Sequence, residues 1–335
     1  MANAKSEASS GSETPLLVRL GWNTEFAVAS LSTLSKRIEL LRPDLAVAFG
    51  DRRRLAQMGL VHEVVEFLGV ADVGDLAFDP AVVWSPYAVR IHDERRFSAE
   101  ARSNLLAALW TRVPAARVDL DLPRTVLHAY WTPQGVAWGR DLRTPAFRPS
   151  DHQARPYVRS YMVPSRKARW LNDLAGVVDG SDVLDPFCGT GSLLLEASRL
   201  GAVVSGSDSD RGAVLGTTTN MRSEGFSGDL RVADARAPYS EWRRTFDAIV
   251  TDLPYGRSAS IRATDITSLA TEWLDASGGV VRPRARIVVM APAGVLPDSA
   301  GELRVVHRFT ERVHRSLSRE IVVYRPLSAS LRRWA

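Results

Sequence analysis

The sequence predicts an α/β chain whose C-terminal half, residues 176–335, is a doubly wound, mostly parallel sheet preceded by an α+β region. Three observations predict it. After residue 180, apolar runs suited to buried strands alternate with helical patterns: Asp182–Asp185, Val203–Asp208, Leu230–Ala233, Phe246–Thr251 and Arg284–Met290. A glycine-rich turn, Pro186-Phe187-Cys188-Gly189-Thr190-Gly191, joins the first of these strands to the helical stretch Ser192–Ser198. Successive strands also end in acids, Asp185, Asp208, Asp234 and then Asp252, which places four carboxylates on the C-terminal edge of one sheet. Open α/β folds bind their ligands at that edge.

The elements follow in order. Residues 1–14 are Ser- and Ala-rich without a hydrophobic segment and read as a disordered tail rather than a signal peptide. Residues 15–75 hold a strand at Leu16–Leu20 and a helix at Thr24–Leu34, in outline a small α/β domain. Residues 76–148 carry strands at Tyr87–Arg90, Arg117–Leu120, Thr125–Tyr130 and Gly135–Gly139, with a helix from Ser98 to Trp110. Residues 149–175 form a linker and the first helix of the next domain. Beyond the parallel strands come a helix at Asp265–Leu274 and a hairpin of Leu303–Thr310 with Glu320–Tyr324.

The loop at 186–191 puts backbone N–H groups and a positive helix end against a polar or anionic ligand. Its spacing is not G-x-G-x-x-G and no G-K-[ST] follows, which argues against a dinucleotide or nucleoside-triphosphate phosphate site. Asp208 lies about 20 residues after the loop, where a ribose hydroxyl pair needs a carboxylate acceptor. Asp252-Leu253-Pro254-Tyr255 ends a buried strand in a carboxylate, a residue without an N–H and an exposed aromatic. Such a site can hold a planar amine by its edge and face, with Asp252 and nearby carbonyls accepting N–H bonds and the ring of Tyr255 stacking. The bland reading, a strand followed by an Asp-Leu-Pro turn, fits the tetrapeptide alone equally well.

Taken together, Asp185-Pro-Phe-Cys-Gly-Thr-Gly191, Gly206-Ser-Asp208, Asp234 and Asp252-Leu-Pro-Tyr-Gly256 resemble the Rossmann-like methyltransferases that use S-adenosyl-L-methionine on amino groups of bases. More narrowly, the chain resembles the THUMP-containing tRNA guanosine-N2 methyltransferases that act on position 10. The segment Arg155–Pro164 with Ala168-Arg169 and Asn172–Ala175 is similar to the one preceding the core in that family, and the elements between Tyr87 and Gly139 are similar to THUMP, a tRNA-acceptor-end module. The resemblance implies a seven-stranded sheet closed by a reversed C-terminal hairpin. It implies that Asp185, Pro186, Phe187, Cys188, Gly189, Thr190 and Gly191 cradle the methionine part of the cofactor. Asp208 with Ser209 meets the ribose, and Asp234 with Ala235 the adenine. Asp252, Leu253, Pro254 and Tyr255 are the implied catalytic set; the family's usual second residue is proline, and this chain has Leu253.

Composition sets the outer limits. The 335 residues suit two or three domains, and 45% hydrophobic with 24% charged residues is an ordinary globular balance. One cysteine excludes a disulfide framework and fits a reducing, cytoplasmic setting. No apolar run approaches the ~20 residues of a membrane span. The six histidines have no i, i+4 or Cys-x-x-Cys spacing, so no metal site is expected. The net charge of +5, nearly all from arginine, points to an anionic partner. Arg155, Arg159, Arg166, Lys167 and Arg169, interleaved with Tyr157, Tyr161 and Trp170, form the candidate RNA-binding cluster, against the alternative of coding bias and a solvated face. Cys188 reads as a packed residue rather than a nucleophile, and Asp210 as a helix cap.

The expectation is therefore a monomeric enzyme acting on tRNA. The alternatives are an rRNA guanine-N2 or adenine-N6 methyltransferase and a catalytically weak RNA-binding or folding factor. The tetrapeptide by itself does not choose between guanine and adenine.

Overall fold

The computed structural model describes residues 14–327 other than 22, 114–116, 152–153, 161, 238–241, 255–262 and 316. The chain divides into two compact units, Met1–Phe147 and Arg148–Ala335.

The first unit is built on β1 (Pro15–Leu20), α1 (Thr24–Leu31), β2 (Ile38–Arg42), β3 (Leu45–Phe49), α2 (Arg52–Ala56), β4 (Val61–Ala71), β5 (Tyr87–His92), α3 (Ala99–Arg112), β6 (Thr125–Thr132) and β7 (Gly135–Arg140). Its seven strands form one sheet in the order β2-β3-β1-β4-β7-β6-β5. Only β5 and β6 run parallel; the other neighbours are antiparallel. The β4–β7 pairing carries the sheet across residues 75/76, so the strands assigned to 15–75 and to 76–148 share one sheet. Each helix opens on a side-chain cap: Phe26 N–H donates to Asn23, Arg54 N–H to Asp51 and Ala101 N–H to Ser98.

Two expectations change here. α1 ends at Leu31 rather than Leu34, where Ser32 and Thr33 hydroxyls bond back to Ala29 and Ser30 carbonyls and compete with helix continuation. The strand expected at Arg117–Leu120 reduces to a single bridge between Val118 and Tyr87. Asp119 accepts from the N–H groups of Asp121 and Leu122, both at 3.0 Å, and this turn takes the chain away from the sheet.

The second unit contains α4 (Ser165–Ala175), β8 (Asp182–Asp185), α5 (Ser192–Arg199), β9 (Val203–Asp208), α6 (Arg211–Ser223), β10 (Asp229–Val232), β11 (Phe246–Asp252), α7 (Ala263–Ser277), β12 (Val281–Pro292), β13 (Ser299–Ala300), β14 (Leu303–His314) and β15 (Leu317–Pro326). The strand order is β10-β9-β8-β11-β12-β15-β14-β13. β10, β9, β8, β11 and β12 are parallel; β15 runs against β12, and β14 and β13 each pair antiparallel with the strand before them in the sheet. This is the expected seven-stranded arrangement with its C-terminal hairpin, extended by the two-residue edge strand β13. Apolar side chains from β11, β12, β15 and α7, including Phe246, Ile249, Trp273, Ile287 and Tyr324, form one core cluster.

From β8 the chain winds outward to β9 and β10, then returns to place β11 on the other side of β8. The strand order therefore reverses between β8 and β11, and a crevice opens beyond the carboxyl ends of these two strands. Asp185 and Asp252 stand at those ends.

Candidate active site

A cavity of about 630 Å³ occupies this crevice, lined by the 185–190 loop, Asp208, Ser209, Asp234, Ala235 and Asp252–Pro254. Three of the four strand-end acids, Asp185, Asp208 and Asp252, come from strand ends themselves; Asp234 follows β10 by two residues. The sheet topology thus brings together residues scattered over 185–254, and Tyr255 lies outside the described residues.

The loop is held open by its own bonding. Gly189 and Gly191 sit at φ 53° and 79°, a region that favours glycine. A Cβ on Gly191 would lie 2.7 Å from Thr217 Cγ2, so α6 packs against a bare backbone there. Cys188 N–H donates to Ser207 O at 2.8 Å, fixing the loop to β9. The Cys188 thiol is buried and unbridged, and burial pushes its pKa up, consistent with packing rather than nucleophilic chemistry.

Asp185 is fully enclosed. Its carboxylate accepts from Thr251 Oγ1 at 2.7 Å and Phe187 N–H at 3.2 Å, which ties the end of β8 to β11. Burial lifts its pKa to about 7 against these two bonds, with the charges of Asp208 and Asp252 adding to the rise. Asp208 is half-buried and accepts from Gly189 N–H at 3.0 Å and Asp210 N–H at 2.9 Å. Burial raises its pKa too, opposed by those N–H bonds. A carboxylate has about four acceptor positions, which leaves Asp208 acceptor capacity for a ligand. Asp210 caps α6, accepting from Gly212 N–H at 2.7 Å.

Asp234 is exposed and paired with Arg236 (2.6 Å), whose hydrogen bonds hold its pKa down. Asp252 differs from the other acids: among the described residues its Oδ1 is desolvated and has no hydrogen-bond partner. Burial pushes its pKa up to about 7, although the charges of Arg319 and Lys167 pull it down. Leu253 donates its N–H to Met290 O at 2.9 Å and buries its side chain in the core, and the residue is part of the cavity lining.

Residues 155–321 match the UPF0020 family, described as RMKL-like, methyltransferase domain. The tRNA (guanine(10)-N2)-dimethyltransferase of Methanothermobacter thermautotrophicus is 32% identical over 289 residues, spanning 81% of this chain and 83% of that protein. The enzyme of the same name from Pyrococcus abyssi is 32% identical over 281 residues, spanning 78% and 83%. This chain belongs to that methyltransferase family. Its fold is also that of the crystal structure of TrmN from Thermus thermophilus, which covers 93% of this chain and 100% of its own with a TM-score of 0.51 at 18% identity.

The expected basic cluster divides between buried and exposed positions. Arg155 and Arg169 are buried, 6% and 3% exposed, and pair with Glu224 at 3.3 Å and Glu196 at 3.1 Å. Committed to carboxylates inside the unit, they are not available to RNA phosphates and instead fasten the 149–175 segment to α5 and α6. Lys167 pairs with Glu311 at 2.5 Å. Arg166 is half-buried, and Arg159 is exposed, bonding Tyr157 Oη at 2.8 Å and lying over its ring.

Asn220, within α6, joins three parts of the unit. It accepts from Tyr157 N–H and donates to Tyr157 O, both at 2.8 Å, and to Thr190 O at 2.9 Å. It thereby clamps the pre-core segment to the glycine-rich loop, beside Gly216, where a Cβ would lie 2.2 Å from the Tyr157 ring. Met162 and Val163 from the same segment, with Leu193, Ala213 and Leu269, complete the apolar lining. No local pattern marks these residues, because each faces the cavity through tertiary packing.

Proposed function

We propose that this protein transfers a methyl group to the exocyclic N2 amine of a guanosine in tRNA, position 10, with S-adenosyl-L-methionine as donor. The observation that carries the reading is Asp252: a carboxylate at the switch point of the sheet, lining the cavity, with one desolvated oxygen that has no donor among the described residues. An aryl amine supplies that donor.

The cavity suits the cofactor. About 630 Å³ is large enough for a nucleoside with an amino-acid arm. Asp208 keeps acceptor positions for a ribose diol, Ala235 and Asp234 flank the next position along the edge, and Asp185 offers negative charge below a glycine backbone that a ligand can approach closely. Bound there, S-adenosyl-L-methionine supplies an electrophilic methyl carried by a positive sulfur.

The chain's own contribution is orientation and proton handling. Asp252 and the Leu253–Pro254 backbone would accept the two N–H bonds of the amine, which fixes its orientation and favours localising its lone pair on the nitrogen, toward the donor methyl. Once methylated, the amine nitrogen would be a strong acid with a proton to lose. Asp252, with a pKa near 7, is ionised in half or more of molecules above neutrality and takes the proton. The base must leave its helix to reach the cavity. In this reading the first unit docks the tRNA, and the expected domain limits of 15–75 and 76–148 belong to the same proposal.

The test uses unmodified tRNA transcripts, one carrying inosine at position 10, which lacks the 2-amino group. With labelled donor and digestion to nucleosides, N2-methylguanosine is expected from the first and no label from the second. Label in N6-methyladenosine, or equal incorporation into the inosine transcript, overturns the assignment.

A further inference from the structure

Strand pairing in the first unit brings together three side chains that are far apart in sequence. Glu63 stands on β4, His92 on β5 and His128 on β6, and their ligand-capable atoms all lie within 4.8 Å of one another. His92 Nε2 is 3.0 Å from His128 Nδ1. His128 Nδ1 is 3.3 Å from Glu63 Oε1, and His92 Nε2 is 3.7 Å from Glu63 Oε2. A tetrahedral ion with bonds of roughly 2.0–2.1 Å has donor atoms separated by about 3.3 Å, close to the two contacts of His128 Nδ1, while Glu63 turns its other oxygen toward His92. The Tyr130 hydroxyl joins the group, bonded to Glu63 and 3.3 Å from His128 Nδ1.

The set has more lone pairs than protons. Without an ion, one N–H lies between the two imidazole nitrogens and one O–H joins Tyr130 to Glu63; moving the first proton to the far nitrogen of its ring leaves His92 Nε2, His128 Nδ1 and a Glu63 oxygen as lone-pair donors. Glu63 and His92 are about a fifth exposed, so an ion can enter and keep a water ligand. His128 is buried, stacked in a column with His92 and Tyr130, which holds the rings in place. Arg19, whose Nε lies 3.6 Å from Glu63 Oε2, is the cation that an ion displaces.

We propose that Glu63, His92 and His128 form a site for a divalent transition-metal ion, zinc being the best match to two imidazoles and one carboxylate. The absence of thiolate disfavours copper(I), and three ligands are too few for calcium's six to eight oxygens. β7 separates β4 from β6 in the sheet, so the ion cross-links strands that do not pair. Ligation through Nδ1 leaves the His128 proton on Nε2, which has no hydrogen-bond partner among the described residues. With three protein ligands at a partly exposed position, a dissociation constant of about 1 µM is expected rather than the far tighter value of a dedicated structural site.

The full-length protein, stripped with a chelator and dialysed, is titrated with zinc against a chromophoric competitor. One equivalent should bind with a dissociation constant of about 1 µM or tighter and raise the melting temperature. His92→Gln and Glu63→Gln, both at partly exposed positions, should each weaken binding by about 100-fold or more and abolish the zinc-dependent rise. In the unsubstituted protein, zinc should also protect His92 from diethyl pyrocarbonate, read by peptide mass spectrometry, a measurement independent of how the variants fold. No bound equivalent, unaltered affinity in folded variants, or an unprotected His92 overturns the proposal.

Discussion

Replacing Asp252 by Asn should stabilise the ligand-free protein while removing its activity. The Asp252 pKa rises from the ordinary 3.8 to about 7, a gap of about 4 kcal/mol at 1.36 kcal/mol per unit. Cavity water and the nearby Arg319 and Lys167 screen the ionised form, and we take about half, ~2 kcal/mol. The sign follows from proton counts: between pH 3.8 and about 7 the folded chain holds a proton that the unfolded chain has released. Stability from this group is therefore full below the lower value and is lost as pH rises through the upper one. Asn does not ionise, so the variant should match the parent near pH 4 and exceed it progressively up to pH 8. For a unit of this size ~2 kcal/mol corresponds to roughly 5 °C. Scanning calorimetry across that pH range measures the difference, and labelled methyl transfer should fall by ~100-fold or more. Equal melting temperatures at pH 8, or a variant that methylates at the parental rate, would refute the argument that Asp252 is a desolvated carboxylate awaiting an amine.

Other outcomes follow from the same geometry. Asp208→Ala removes the acceptor left for a ribose and also the anchor of Gly189 N–H; calorimetry should show S-adenosyl-L-methionine binding weakened by about tenfold or more, each charge-assisted bond contributing roughly 1.5–3 kcal/mol. Because Asp185 has a pKa near 7 when unliganded, a cationic ligand should lower it and release protons, so affinity should grow as pH rises from 6 to 8; titration in buffers of different ionisation enthalpy reads the protons. Asn220→Ala breaks three buried hydrogen bonds between α6, Tyr157 and Thr190; at about 1 kcal/mol each the variant should lose roughly 3 kcal/mol in urea unfolding. Binding of tRNA should weaken with salt by about 0.7–0.9 log units per log unit for each phosphate contact, and filter binding that ignores salt would remove the electrostatic docking surface.

The parallel core was legible in the sequence because its signals are local. Apolar runs such as Val183-Leu184 and Ala248-Ile249-Val250 can be buried only as strands of this length, the left-handed turn at Gly189 and Gly191 requires glycine, and acids at strand ends mark the ligand edge. Those features carried Asp185, Asp208 and Asp252 to one cavity. Charge was misleading for the opposite reason. Arg155 and Arg169 look in one dimension like a phosphate-binding run, and only packing shows each facing a carboxylate, Glu224 and Glu196, from a helix 27 residues or more away in sequence. The same holds for the Asn220 clamp and for Glu63, His92 and His128. Sheet pairing joins residues from strands that no short-range spacing links, so their chemistry comes into being only when the chain folds.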